Sequence, residues 1–417
     1  MDDLDKTALF EPYIISRQQF QFQMTAQANA LFSIADKAIR KSITLCHFST
    51  AHTQIKSRSF HRECMPLAAA GMNVRYVTPA DIKGVRAGVE FVTLQNTRSG
   101  MQFFFTFPAI VRQLLWQRAD LYHFQDPELI PVALALKIIF HKHVVYDAYE
   151  DFPSMALQKR SFPVFLRPLV AKTVAAMEGL ATHCLDGVIT ADPLTLRRLA
   201  HTGKSRKLVF FNFPNLDLFP PPKVKTKKFD VVYRGGLSAR AGTLILLEAM
   251  RLLADRGRTV RLLLIGYFDD AVFETELHKR IGSFGLSGNV ELRGRIDHED
   301  MAQALSEATI GVCPLQDIPK FRLNIPVKIF EYWACGLPVV ASDMPPIRPF
   351  FRNTGAGFLY RPYDASELAR SVGWLLNNPD AAKRMGQNGR SAIVQRFNNQ
   401  NEIHKLSEFC VRISGTP

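Results

Sequence analysis

Two stretches of this chain set residue types at spacings suited to phosphate and ribose. In Asn324-Ile325-Pro326-Val327-Lys328-Ile329-Phe330-Glu331-Tyr332-Trp333-Ala334-Cys335-Gly336-Leu337-Pro338, Lys328 and Glu331 are three residues apart, so on a helix they share one face near its start. A cation there can hold a phosphate, and a carboxylate can accept both hydroxyls of a ribose. The plain alternative is a surface ion pair worth at most ~0.5 kcal/mol. In Val231-Val232-Tyr233-Arg234-Gly235-Gly236-Leu237-Ser238-Ala239-Arg240-Ala241-Gly242, Gly235 and Gly236 let the backbone turn sharply and approach a ligand. The helix predicted from Thr243 adds N-terminal amides with partial positive charge, and Arg240 adds a fork of donors for phosphate oxygens. The plain alternative here is a strand-to-helix turn with a solvated arginine. The stretch matches neither G-x-G-x-x-G nor a Walker loop.

Two further stretches gather polar groups where a strand ends. Gln125, Asp126 and Glu128 follow Leu121–Phe124. Asp126 could cap a helix, with Pro127 as its first residue. Asp147, Tyr149, Glu150 and Asp151 follow His143–Tyr146 and precede Pro153, which suits a catalytic loop or a solvated acidic turn.

These stretches need elements to position them. From Ser42 onward, short β-branched or aromatic runs alternate with longer amphipathic segments. Strands are predicted at Ile43–Phe48, Asn73–Val77, Leu121–Phe124, His143–Tyr146, Gly187–Thr190 and Leu208–Phe211. Helices are predicted at Ser57–Ala70 (kinked at Pro66), Leu129–Phe140 and Pro168–Leu180. Pro220-Pro221-Pro222-Lys223-Val224-Lys225-Thr226-Lys227-Lys228 breaks the pattern. It then restarts, with strands at Asp230–Tyr233, Arg261–Ile265, Val290–Leu292, Ile310–Cys313 and Pro338–Ala341. Helices are expected at Thr243–Asp255, Ala271–Ile281, Asp300–Ser306, Val327–Cys335, Ala365–Asn377, Ala381–Phe397 and Asn401–Ser414. Such alternation implies α/β architecture with parallel sheets covered on both faces. The expected division is an extension over 1–41, a first domain over 42–215, a linker over 216–228, a second domain over 229–397 and a final helix over 398–417. Two doubly wound domains joined by one hinge would face each other across a cleft, with ligands beyond the carboxyl ends of the strands.

Composition narrows the class. Of 417 residues, 47% are apolar and 22% charged, and the net charge is +14, which excludes a disordered chain, a collagen-like fibre and a disulfide mini-scaffold. No apolar run reaches 18 residues, and the chain opens on Met1-Asp2-Asp3-Leu4-Asp5, acidic where a signal peptide is basic. Basic charge in both halves fits nucleic acid, an anionic lipid surface or phosphorylated substrates. Six irregularly spaced cysteines, with no C-x-x-C pair, read as buried thiols in a reducing compartment. A cytoplasmic protein is expected, with a possible peripheral place on the inner face of a membrane. Lys159-Arg160-Ser161-Phe162-Pro163-Val164-Phe165-Leu166-Arg167-Pro168-Leu169-Val170-Ala171-Lys172 mixes basic and large apolar residues and could rest on an anionic bilayer; a core helix with a basic face is the alternative.

Taken together, the four stretches resemble the retaining nucleotide-sugar glycosyltransferases called family 4, of GT-B fold. The family's patterns read H-x-H-D-P-E-L-x-P, then Y-D-x-H-E-D-x-P, then G-G-L-x-x-x-R-G, then P-x-K-x-x-E-Y-x-A-x-G-x-P-V-V-A-S. Their order and approximate spacing match from Ser42 to Phe397. The resemblance implies a donor site in the second domain, with Gly235, Gly236, Pro326 and Val327 beside it. Glu331 would take the ribose hydroxyls, and Arg240 and Lys328 would clamp the diphosphate. Gly294, Arg295 and Ile296 would form the loop on the nucleotide base. Gln125 and Asp126 would be catalytic, and Glu128, Asp147, Tyr149 and Glu150 would lie on the acceptor side. The last helix would cross back onto the first domain. Gln125 and Tyr149 stand where the family has histidine, Leu323 stands where it has a second glutamate, and Arg240-Ala241-Gly242 spreads its arginine–glycine pair.

The implied reaction moves a sugar from a nucleotide-diphosphate donor to a glycan or lipid-linked acceptor, with no cofactor and no metal. Lys328, Arg240 and the helix amides would stabilise the departing diphosphate. The replaced histidines motivate a second reading, a binding or scaffolding subunit, and a sugar-nucleotide epimerase is a third. Dispersed basic residues and the lack of a nucleic-acid module argue against nucleic acid as partner.

Overall fold

The computed structural model describes residues 43–49, 57–94, 103–158, 162–200, 205–221 and 226–415. The expected 1–41 extension and residues 222–225 of the expected linker lie outside the described residues. The chain divides into two compact units. One is Phe213–Asn399; the other runs up to Asn212 and resumes at Gln400.

The unit that starts the chain is built on an eight-stranded sheet. Its strands are β1 (Thr44–Phe48), β2 (Asn73–Thr78), β3 (Gly84–Arg86), β4 (Val89–Thr93), β5 (Leu121–Phe124), β6 (His143–Ala148), β7 (Gly187–Thr190) and β8 (Arg206–Val209), in the order β3-β4-β2-β1-β5-β6-β7-β8. All pairings are parallel except β3 with β4. The side-chain period of two splits each strand between two cores. Cys46, Tyr122, Val144 and Val188 face the helices Phe103–Trp116, Ile130–Ile138 and Arg167–Cys184. Leu45, Leu121, Val145 and Ile189 face the other layer. There Ile403, Leu406, Phe409 and Ile413 of the helix Asn399–Ser414 join Phe60 and Leu67.

Several elements of this unit depart from the expected list, the helices Phe152–Gln158 and Pro193–Ala200 among them. Phe103–Trp116 is a helix although Pro108 lies inside it. The β3–β4 pair arises where Ala87 and Gly88 adopt positive φ and turn the chain. Ser57–Cys64 is π-helical and passes into an α-helix at Met65, so Pro66 begins an α-helical segment and does not kink a continuous one. In addition, β8 pairs with β7 from Arg206 to Val209, two residues ahead of the apolar run Leu208–Phe211.

The second unit carries a six-stranded, fully parallel sheet of β9 (Phe229–Arg234), β10 (Leu262–Ile265), β11 (Val290–Arg293), β12 (Ala308–Cys313), β13 (Val339–Ser342) and β14 (Gly357–Tyr360), ordered β11-β10-β9-β12-β13-β14. One face packs on the helices Thr243–Asp255, Ala271–Ser283 and Ala365–Asn377 through Leu246, Leu253, Leu277, Leu368 and Val372. The helix Val327–Ala334 lies against β12 and β13. It can approach because Gly311 leaves room for the Tyr332 ring: a Cβ there would come within 2.4 Å of it. Both units are α/β with parallel Rossmann-like sheets, as expected.

Candidate functional site

Parallel pairing brings the carboxyl ends of β9 to β14 to one edge of the second sheet, where ligands bind in open α/β sheets. β9 ends at Arg234. Gly235 follows at φ +138, and its N–H donates to the Ile265 carbonyl at 2.9 Å. Gly266, just past β10, has φ +155 and lies so close that a Cβ on it would stand 1.8 Å from the Gly235 carbonyl oxygen. The two strand-end turns thus touch backbone to backbone, which only glycine allows.

Into this bare turn comes Lys328, from the first turn of Val327–Ala334. Its Nζ would stand 2.8 Å from a Cβ at Gly235. The ammonium donates to Tyr233 Oη at 3.1 Å and lies 4.3 Å from the ring centroid. Tyr233 Oη in turn donates to the Gly236 carbonyl at 2.8 Å. Ring and hydroxyl together hold the cation in place, a cation–π contact being worth about 0.5–2 kcal/mol. Its field reaches β12: burial pushes the Cys313 thiol up to about 11, and the Lys328 charge pulls against that rise.

Glu331 lies one turn further on and is fully buried. The surface ion pair with Lys328 is not what forms: Lys328 turns to Tyr233, and Glu331 pairs with the Arg234 guanidinium at 3.3 Å. Arg234 was missed in the sequence, although the last strand residue before a glycine pair is a recognisable place for a ligand-facing cation. Its N–H donates to Tyr332 Oη at 2.8 Å, which fixes the strand end to the helix carrying Lys328 and Glu331.

Arg240 behaves differently. Its guanidinium pairs with Asp269 at 2.8 Å and is half exposed. The turn beneath it is fixed by Gly242, at φ +78, where a Cβ would meet the Pro314 carbonyl oxygen at 1.7 Å. Gly294 and Arg295 are exposed and Ile296 half-buried just beyond β11, at the sheet edge. Pro326 is the extended cap residue and Val327 opens the helix.

The polar cluster of the other unit is interior. Gln125 and Asp126 are buried after β5. Gln125 Nε2 donates to Asp147 at 2.8 Å and to both oxygens of Glu63 at 3.2 Å, while its Oε1 accepts from Ser59 at 2.7 Å. Asp126 does not cap the following turn with its side chain; it accepts from Ser49 Oγ at 2.6 Å. His47 and His123, from neighbouring strands, place their Nδ1 atoms 3.3 Å apart. With Glu63 they form a buried trio whose ligand atoms all lie within 4.8 Å. Two imidazoles and a carboxylate can hold zinc; here His123 lies 3.9 Å from Glu63, and Glu63 accepts from Gln125. Burial pushes the Tyr76 phenol up, and neighbouring Cys64, Asp126 and Glu63 add to that. Glu128 is exposed, Tyr149 and Glu150 are half-buried, and Asp147 is fully buried. Five of the six cysteines are buried and Cys184 is partly exposed; all are free thiols.

Comparison with known proteins bears on the family and the fold. Residues 216–392 match the family described as glycosyl transferases group 1. The alpha-D-kanosaminyltransferase of Streptomyces kanamyceticus is 27% identical over 167 residues, 40% of this chain and 41% of that protein. This chain therefore matches about two-fifths of that relative's length. Among solved structures, sucrose-phosphate synthase from Thermosynechococcus elongatus aligns over 89% of this chain and 98% of its own, with TM-score 0.71 and 22% identity. Anabaena HepE in complex with UDP-glucose aligns over 89% and 100%, with TM-score 0.68 and 16% identity. Both likenesses show the GT-B fold.

Proposed function

We infer that this chain, which belongs through residues 216–392 to the group 1 glycosyl transferases, moves a sugar with retention from a nucleotide-diphosphate donor to a glycan or lipid-linked acceptor. The observation that carries the reading is the Lys328 ammonium, fixed on Tyr233 against the side-chain-free Gly235 turn at the carboxyl end of a parallel sheet. A diphosphate fits there because the cation is already oriented and the turn presents backbone only. HepE, which shares the fold, was crystallised with UDP-glucose.

As the sugar–phosphate bond breaks, the diphosphate gains negative charge, and Lys328 with the amides of the flanking helices stabilises it. Arg234 exchanges Glu331 for a phosphate oxygen, which leaves the Glu331 carboxylate for the ribose hydroxyls. Arg240 contributes less, since Asp269 already neutralises it. The acceptor hydroxyl attacks from the face the leaving group vacates and passes its proton to the leaving phosphate. No metal takes part in this scheme. The acceptor reaches the enzyme at a membrane surface, where the exposed residues 164–169 rest.

Donor turnover by Lys328→Ala and Glu331→Ala tests the site: full activity in both would remove the assignment. The second reading, a binding subunit, draws on Gln125, whose amide is engaged by interior partners. Calorimetry that finds donor binding, with no turnover across an acceptor panel, would select it.

A further inference from the structure

In the unit that starts the chain, one helical layer has an unusual surface. Most of the large apolar side chains that stand exposed among the described residues fall between Trp116 and Leu180. Trp116 is 68% exposed, Ile139 65% and Phe165 79%. The helices Phe103–Trp116, Ile130–Ile138 and Arg167–Cys184 that carry or flank them lie side by side over one core. Between the first two runs a groove of about 520 Å³, lined by Phe107, Val111, Leu115, Trp116, Ile139 and Phe140 among others, with Arg112 as its charged group. The Arg112 guanidinium stands over the Trp116 ring, 4.7 Å from its centroid.

Charge decides the occupant. The helices Phe103–Trp116, Ile130–Ile138 and Arg167–Cys184 carry the cations Arg112, Lys137, Arg167 and Lys172, and their one acid, Glu178, is fully buried. Apolar side chains exposed among cations alone suit a surface that is apolar inside and anionic at its boundary. A protein partner of ordinary mixed charge would not need the acids to be absent.

We propose that this groove seats an acyl chain of an anionic bilayer, with Trp116, Ile138, Ile139 and Phe140 entering the interface and Arg112 meeting the lipid phosphate. It would be a lipid contact separate from residues 164–169, and it rests on the membrane reading given above. Tryptophan and arginine suit that boundary, because each has an apolar body and a polar end.

The test uses the full chain and vesicles of phosphatidylcholine and phosphatidylglycerol at three to one. The double variant Ile139→Glu/Phe140→Glu should lose at least tenfold in vesicle partitioning. Brominated acyl chains should quench a fluorescence component that disappears in Trp116→Phe and persists in Trp374→Phe, since Trp333 is buried and Trp374, 43% exposed, belongs to the other unit. Both substituted positions are exposed, so the fold and donor turnover on a soluble acceptor should be retained. Wild-type partitioning by Ile139→Glu/Phe140→Glu, or an unquenched Trp116, overturns the proposal. If Phe165→Glu/Leu169→Glu alone abolishes binding, the 164–169 contact stands and the groove falls. No vesicle binding by the unaltered protein removes both, and neither outcome touches donor turnover. If the groove variant instead turns a dimer into a monomer in sedimentation, the face joins two copies and the lipid proposal is wrong.

Discussion

The two units answer the same architectural problem, polar groups at the ends of parallel strands, in opposite ways. In Phe213–Asn399 the polar groups lie against backbone. Lys328 rests on a tyrosine and on a turn stripped of side chains, Gly235 and Gly266 touch, and Gly242 admits the Pro314 carbonyl. In the other unit the polar groups lie against each other, with Gln125 held by Glu63, Asp147 and Ser59. A cation held over bare backbone is available to an incoming anion. An amide engaged by buried carboxylates is satisfied and costly to disturb. One cluster sets a cation over bare backbone; the other is closed within the interior of its own domain.

The sharpest way to break this contrast is a pair of variants within the first kind of site. Lys328→Ala should lower kcat by about 10²–10³-fold, the usual effect of removing an oriented charge stabiliser. Arg240→Ala, already neutralised by Asp269, should cost under about tenfold. Equal losses would show that both arginine and lysine face the diphosphate. Next in size is Gly242→Ala, which should destabilise by about 3 kcal/mol in denaturant unfolding, because it adds backbone strain to a steric conflict with Pro314. Gln125→Leu should cost about 2 kcal/mol of stability, from the hydrogen bonds lost by buried carboxylates. If it abolished turnover while stability stayed intact, Gln125 would belong to the chemistry.

The smallest effect concerns pH. Burial raises the Glu178 carboxyl above its ordinary value of 4.5, with Arg198 pulling it partly back. The native state therefore holds this proton to higher pH than the unfolded chain does. Stability from this group falls as pH rises through the window above 4.5, by at most about 1.4 kcal/mol per unit. Glu178→Gln should flatten that part of the stability profile, and an unchanged slope would mean that other groups set it.

The same contrast explains what could be read in advance. The Lys328 site is written in contiguous stretches, where a strand, a glycine pair and a helix start follow one another, so its spacing is visible. The partners of Gln125 come from residues 59, 63 and 147, which only the folded sheet brings together. Arg234 was overlooked because its pairing with Glu331 spans β9 and a distant helix. The helix Phe103–Trp116 was obscured by Pro108, whose usual breaking tendency the packing of Ile110, Val111 and Leu114 overrides. The β3–β4 pair is short and turns on local φ values that the residue types do not announce.

The placement of the helix Asn399–Ser414 has a temporal implication. Phe409 and Ile413 fill the space beside Gly187, where a Cβ would come within 2.5 Å of the isoleucine, and Glu402 accepts the Phe211 N–H at 2.9 Å. During vectorial synthesis on the ribosome, the strands made first wait for this late segment to seal them, while the unit encoded in between can mature beforehand.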